Sequence, residues 1–108
     1  MAYDEVLAER VREALSDEVA VSEKRMFGGL SFLAHGNLVI AVSGDDLLVR
    51  VGAEAVPDAL ERRGVRPAVM GARTMRGWVR VAGSALDDPA LDRWIATALA
   101  YVVTLPAK

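Results

Sequence analysis

The sequence predicts a single α+β domain, spanning residues 1–108, in which an antiparallel sheet of about five strands carries helices on one face, in the order α-β-β-β-α-β-β-α. Three observations lead there. Stretches at both ends of the chain repeat apolar residues at helical spacing, and the runs between them are short, β-prone and separated by tight-turn residues. At 108 residues, 53% hydrophobic and 26% charged, the chain has the length and makeup for one buried core.

Residues 3–18 form the first predicted helix. Val6 or Leu7, Val11, Ala14 and Leu15 recur on one side, Glu9, Arg10, Arg12, Glu13 and Asp17 on the other, and Asp4 and Glu5 suit the positive end of its dipole. A short connection, Val19 to Ser22, leads to Lys24-Arg25-Met26-Phe27-Gly28-Gly29. Leu30 to Leu33 and Leu38 to Val42 then read as two strands joined by the turn residues His35-Gly36-Asn37. Ser43-Gly44-Asp45-Asp46 turns into a third strand, Leu47 to Val51, which ends at Gly52.

A short helix is expected over 53–63, with Pro57 in its first turn and Gly64 as its stop. Pro67 favours an extended backbone before Ala68-Val69-Met70, Gly71-Ala72-Arg73 can turn, and Met75 to Val81 forms the last strand. Asp87-Asp88-Pro89 starts a final helix that shows one apolar face, Leu91, Trp94, Ile95, Ala98, Leu99 and Val102, and stops before Pro106.

Charge is uneven. Residues 1–54 hold ten acids and five bases, residues 55–108 five acids and eight bases, within a net charge of −2. No acid occurs between Glu61 and Asp87, although Arg62, Arg63, Arg66, Arg73, Arg76 and Arg80 all fall there. In a regular strand Arg76, Trp78 and Arg80 share a face opposite Met75, Gly77, Val79 and Val81. Arginine beside tryptophan suits protein interfaces, base stacking and phosphate pairing, and Arg50 is a candidate neighbour. The slightly negative total favours a protein partner over nucleic acid.

Candidate chemistry elsewhere is thin. Cysteine is absent, which excludes disulfides, thiolate metal sites and thiol nucleophiles. Gly28-Gly29 precede a strand, whereas a phosphate-binding glycine loop joins a strand to a helix, so they read as a bulge where another backbone or a bulky ring such as Trp78 or Trp94 comes close. His35, the only histidine, lacks ligand or nucleophile partners at suitable spacing and reads as a turn residue facing water. Adjacent acids such as Asp45-Asp46 sit in turns or helix ends, where they have local structural uses. No catalytic, cofactor or metal site is predicted, and with no apolar run long enough for a signal or a membrane span the chain is expected in the cytoplasm.

The segments KRMFGGLSFLAHGNLVIAV, DDLLVRVG and RTMRGWVRV give the chain its resemblance to the TfoX/Sxy N-terminal domain family. The resemblance rests on the early helix, Arg25-Met26-Phe27-Gly28-Gly29, Leu48-Val49-Arg50-Val51, and Arg73-x-Met75 before Trp78. Ala72 and Thr74 stand where the family often has Gly and Pro. The resemblance implies a secretion-chaperone-like α+β fold, with Met26 to Gly29 as a packing signature. It also implies relationship to regulators of natural competence genes that assist a cyclic-AMP receptor protein at promoters, proteins that carry a second domain beyond the length of this chain.

The expected function is a non-enzymatic, regulatory interaction module. Its predicted contact residues are Arg50, Arg73, Arg76, Trp78 and Arg80. A homodimer is expected if Val39, Ala41 and Leu48 leave an apolar sheet face uncovered. Direct nucleic-acid binding through the same arginines and Trp78 is the alternative, and a small enzyme using His35 or a turn carboxylate the weakest reading.

Overall fold

The computed structural model describes residues 3–18, 20–26 and 28–107. In chain order the elements are α1 (Glu5–Ala14), β1 (Val21–Met26), β2 (Gly29–Ala34), β3 (Asn37–Ser43), β4 (Asp46–Arg50), α2 (Val56–Leu60), β5 (Val65–Met70), β6 (Arg73–Val81) and α3 (Asp88–Val102), with 3₁₀ turns at Ala53–Ala55 and Gly83–Ala85. The α+β class and the helix positions are as the sequence predicts. The sheet has six strands, ordered β1-β2-β3-β4-β6-β5, and every pairing is antiparallel.

The added strand is β1, read from the sequence as a connection running into the glycine pair. Its six residues are all at least partly exposed, so it shows no alternation of apolar and polar side chains. Backbone pairing with β2 holds it, and Glu23, Lys24 and Arg25 keep the outer edge charged. A bidentate ion pair from Arg12 to Glu23, at 2.6 and 2.8 Å, ties α1 to this strand.

Side-chain acceptors start both long helices. Asp4 accepts from the Val6 and Leu7 amides at the head of α1, and Asp87 accepts from the Ala90 amide at 2.8 Å at the head of α3. Leu7, Ala8 and Val11 of α1, Ala59 of α2, and Leu91, Trp94, Ile95, Ala98 and Val102 of α3 are buried in one cluster with Phe32, Ile40, Val42, Leu47, Val49, Val79 and Val81 of the sheet. All three helices therefore cover the same face. Val6, an alternative inward residue in the sequence, is 71% exposed.

Gly28-Gly29 lie at the two-strand turn between β1 and β2. A Cβ on Gly29 would sit 2.1 Å from the Val42 carbonyl oxygen, whereas Gly28 has open space and φ +73°. The close approach expected at this pair is thus made by a neighbouring backbone and not by an indole ring. Phe27 lies outside the described residues. His35 and Gly36, with φ of 52° and 82°, form the two-residue turn between β2 and β3 that suits the sheet's twist, and His35 is exposed.

Two bulges redirect side chains. On β3 the register slips at Phe32/Leu33, where Phe32 pairs with Ile40 and Leu33 with Leu38. Val39 is the extra residue, and it joins Ile40 in the helix-covered core at 1% exposure. The expectation that Val39 lies on the uncovered face is corrected by this slip. On β6 the residues Met75, Arg76, Gly77 and Trp78 stand opposite the single Ala68 of β5, between the pairs Pro67–Val79 and Val69–Thr74.

Candidate interaction surface

Strand register aligns Lys24, Ser31, Ala41, Leu48, Arg80 and Arg66 in one row across the helix-free face, from β1 to β5. The centre of the row is small and apolar. Ala41, Leu48 and Ala68 form a second buried cluster, and Met75 and Trp78 pack over it. Ala41 and Leu48 are only 6% and 5% exposed. Among the described residues, two large side chains from β6 thus cover the centre of this face.

Arg80 ends as a strut in this surface. Its Nε donates to Asp46 Oδ2 at 2.8 Å and its Nη2 to the Ser43 carbonyl at 3.1 Å, while Arg66 donates to the same Asp46 oxygen at 3.0 Å. The Gly83 amide donates to the other Asp46 oxygen at 3.2 Å. Burial opposes ionisation of Asp46, but the bonds from Arg80 and Gly83 and the charges of Arg80 and Arg66 together outweigh it and hold the carboxyl below its ordinary range.

A depressed folded-state value means that this stabilisation is complete above the unfolded value, near pH 4, and is lost as pH falls through the lower folded one. Asp46→Asn is expected to cost about 2 kcal/mol at neutral pH, with the gap to wild type narrowing as pH falls below the unfolded value and through the lower folded one. Urea unfolding at several pH values measures it; a gap independent of pH would show that the ion pairs contribute nothing.

The other predicted contact residues are placed differently. Arg50 Nη1 donates to the Leu38 carbonyl at 3.1 Å, and the guanidinium lies 5.8 Å from the centre of the Tyr101 ring. Trp78 is half-buried over Leu48 and Ala68. Arg73 and Arg76 are exposed, and among the described residues neither makes an ion pair or a side-chain hydrogen bond.

The regular ladder of Arg76, Trp78 and Arg80 does not form. Gly77 adopts φ +85°, and its carbonyl accepts from both the Val51 and Gly52 amides, at 2.9 and 3.0 Å. Alternation breaks there, so Met75 joins Trp78 in one cluster and Arg76 lines a recess with Gly52 and Tyr101.

Sequence reasoning passed over the far end of the β5–β6 hairpin. Val69 is 51% and Met70 37% exposed, next to Arg73 and within the acid-free stretch. Their sign in the sequence is a pair of apolar residues directly before a turn glycine.

Acids meet along two shallow recesses, Asp4, Asp45 and Asp46 in one and Glu18 and Glu23 in the other. Glu23 is held below its ordinary range by the hydrogen bond from Arg12, against the effect of burial, and like Asp46 it pairs with an arginine across two elements of the fold. Among the described residues no three His, Cys, Asp or Glu side chains group as metal ligands. No described helix is long and apolar enough to cross a membrane.

Comparison with characterised proteins returns no significant match, and neither does comparison with solved structures. A family model described as the TfoX N-terminal domain matches residues 13–101, from the last residues of α1 to the end of α3. The matched span holds the whole sheet with both of its bulges, and the chain belongs to the TfoX N-terminal domain family.

Proposed function

We propose that the domain is a non-enzymatic regulatory module of the cytoplasm that docks an acidic protein partner through the outer half of the β5–β6 hairpin. One observation carries this reading: Val69 and Met70 are exposed, Met70 directly opposite Arg73, and neither Arg73 nor Arg76 further along the same strand pairs with a described carboxylate. Exposed apolar residues rimmed by unpaired charge of one sign mark a surface for a partner of the opposite sign. Family membership supports a regulatory role, in line with the transcription- and competence-related work that the resemblance implies.

Nucleic acid is the less supported partner. Arg80 and Arg66 are already engaged by Asp46, and Arg50 by Leu38 and Tyr101, which leaves Arg73 and Arg76 as the unengaged cations of the predicted contact set.

The test uses the full chain as wild type and as Met70→Asp/Arg73→Glu, two exposed substitutions that leave the core untouched. Proteins retained from native cytoplasm are identified, purified and titrated against both forms, and light scattering reports the oligomeric state. Binding by wild type that the double variant loses is the expected result. Salt-sensitive binding to short DNA or RNA at about 50 mM salt, with no protein bound, would replace this reading with the nucleic-acid one.

A further inference from the structure

The bulge on β6 does more than break a ladder. Gly77 borders the segment after β4, where a Cβ would touch the Ala53 amide nitrogen at 3.4 Å and Gly52 at 3.6 Å in ordinary contact, and its φ of +85° is what calls for glycine. Gly52 in turn lies flat against Tyr101, with ring carbons 2.7 Å from where its Cβ would be. The two glycines let β6, the Ala53–Ala55 turn and the end of α3 meet, and Arg76 emerges at their junction.

Two recesses flank it, sharing Ala53 and Arg76 as their common wall. One, of about 520 Å³, is bounded by Val51, Gly52, Ala55 and Tyr101, with Glu54 on its rim. The other, of about 360 Å³, is bounded by Val56, Leu60, Pro67, Met75 and Trp78. A half-buried aromatic ring thus stands at each end, and a free guanidinium stands between them. Arg50, stacked near Tyr101, adds positive charge at one end, against the single rim acid Glu54.

We propose that this groove receives an extended segment of the partner in which one acidic side chain lies between two apolar ones. The inference rests on the docking reading above and names the chemistry it selects. The carboxylate pairs with Arg76, in the bidentate geometry a guanidinium favours, and the apolar side chains enter the recesses beside Tyr101 and Trp78. A small free anion would satisfy Arg76 but leave both apolar recesses unused. A basic segment is repelled by Arg76 and Arg50 together.

A library of displayed random peptides selected on the full chain tests this, with parallel selections on Arg76→Glu and on Ala53→Phe, which fills the shared wall. Both positions are exposed, and circular dichroism confirms that each variant folds. Wild type is expected to enrich peptides with Asp or Glu between apolar residues, binding at least about tenfold weaker to either variant. Arg76→Glu is expected to exchange the central acid for Lys or Arg.

Peptides without an acid, peptides that bind all three forms equally, or no enrichment above a protein-free control would overturn the groove. A native partner that binds Ala53→Phe and Arg76→Glu as it binds wild type, yet is lost by Met70→Asp/Arg73→Glu, would remove the groove while leaving the hairpin docking intact. Loss of partner binding in none of these variants would remove both.

Discussion

Gly29→Ala is expected to destabilise the domain by about 3 kcal/mol or more, while the same change one residue earlier, at Gly28, costs only about 1 to 2 kcal/mol. The two glycines look alike in sequence but answer to different physics. Gly28 holds φ +73° with nothing within 4 Å of a new Cβ, so alanine there suffers backbone strain alone. Gly29 has no such dihedral, but its Cβ would lie 2.1 Å from the Val42 oxygen and 3.2 Å from the Val42 carbon. These are backbone atoms of β3, next to the Leu30–Val42 pair, and they cannot swing aside like the end of a side chain. Relief requires β2 and β3 to separate where both are buried beneath the helices. Urea unfolding of both variants decides the point: equal midpoints would mean that the turn, and not the inter-strand contact, sets the requirement for glycine.

That contrast shows how far the sequence could be read. Helices α1 and α3 were legible because Leu7, Val11 and Leu15, and Leu91 through Val102, repeat at the spacing of a buried stripe. The turns at His35-Gly36 and Gly44-Asp45 were legible from residues that tolerate left-handed backbone or cap it. β1 was not, because a strand exposed on both faces at a sheet edge leaves no periodic trace, and its existence depends on the partner β2. The slip at Val39 left none either, since valine beside isoleucine fits a regular strand as well as a bulge. Gly77 did leave one, because a glycine inside a strand pattern is the usual mark of a bulge, and reading it so would have separated Arg76 from Trp78 and Arg80.

The candidate surface was legible as a composition and not as an arrangement. The acid-free, arginine-rich window is visible in the letters, but which arginines are free depends on partners far away in the chain. Asp46 reaches Arg80 across 34 positions and Arg66 across 20, and no local pattern announces either pair. The same holds for Arg50, whose acceptor and aromatic neighbour lie on β3 and α3. Freedom of Arg73 and Arg76 is thus a property of the fold, and their use by a partner follows from where Gly77 and the hairpin end place them.

Phe32→Ala should cost about 3 to 5 kcal/mol, a large part of the 5 to 15 kcal/mol that stabilises a typical domain. Phe32 is among the largest fully buried side chains, at 1% exposure, and on β2 it faces the helices beside Leu15 and Val21. Truncation removes its apolar area from the core and leaves a cavity that α1 can close only by moving against β1, which the Arg12–Glu23 pair resists. Its neighbour Leu33 alternates to the helix-free face, where it is half-exposed, so Leu33→Ala should cost about 1 kcal/mol. The measurement is the urea midpoint at unchanged slope for both variants, and a Phe32→Ala loss no larger than that of Leu33→Ala would contradict the placement of the core. Because Phe32 lies near one edge of the sheet and the β5–β6 hairpin at the other, the folded fraction of the variant should bind its partner as wild type does. Weaker binding by that folded fraction would mean that the core under α1 and the docking surface are coupled through the sheet, and that the arginines are positioned by more than their own hairpin.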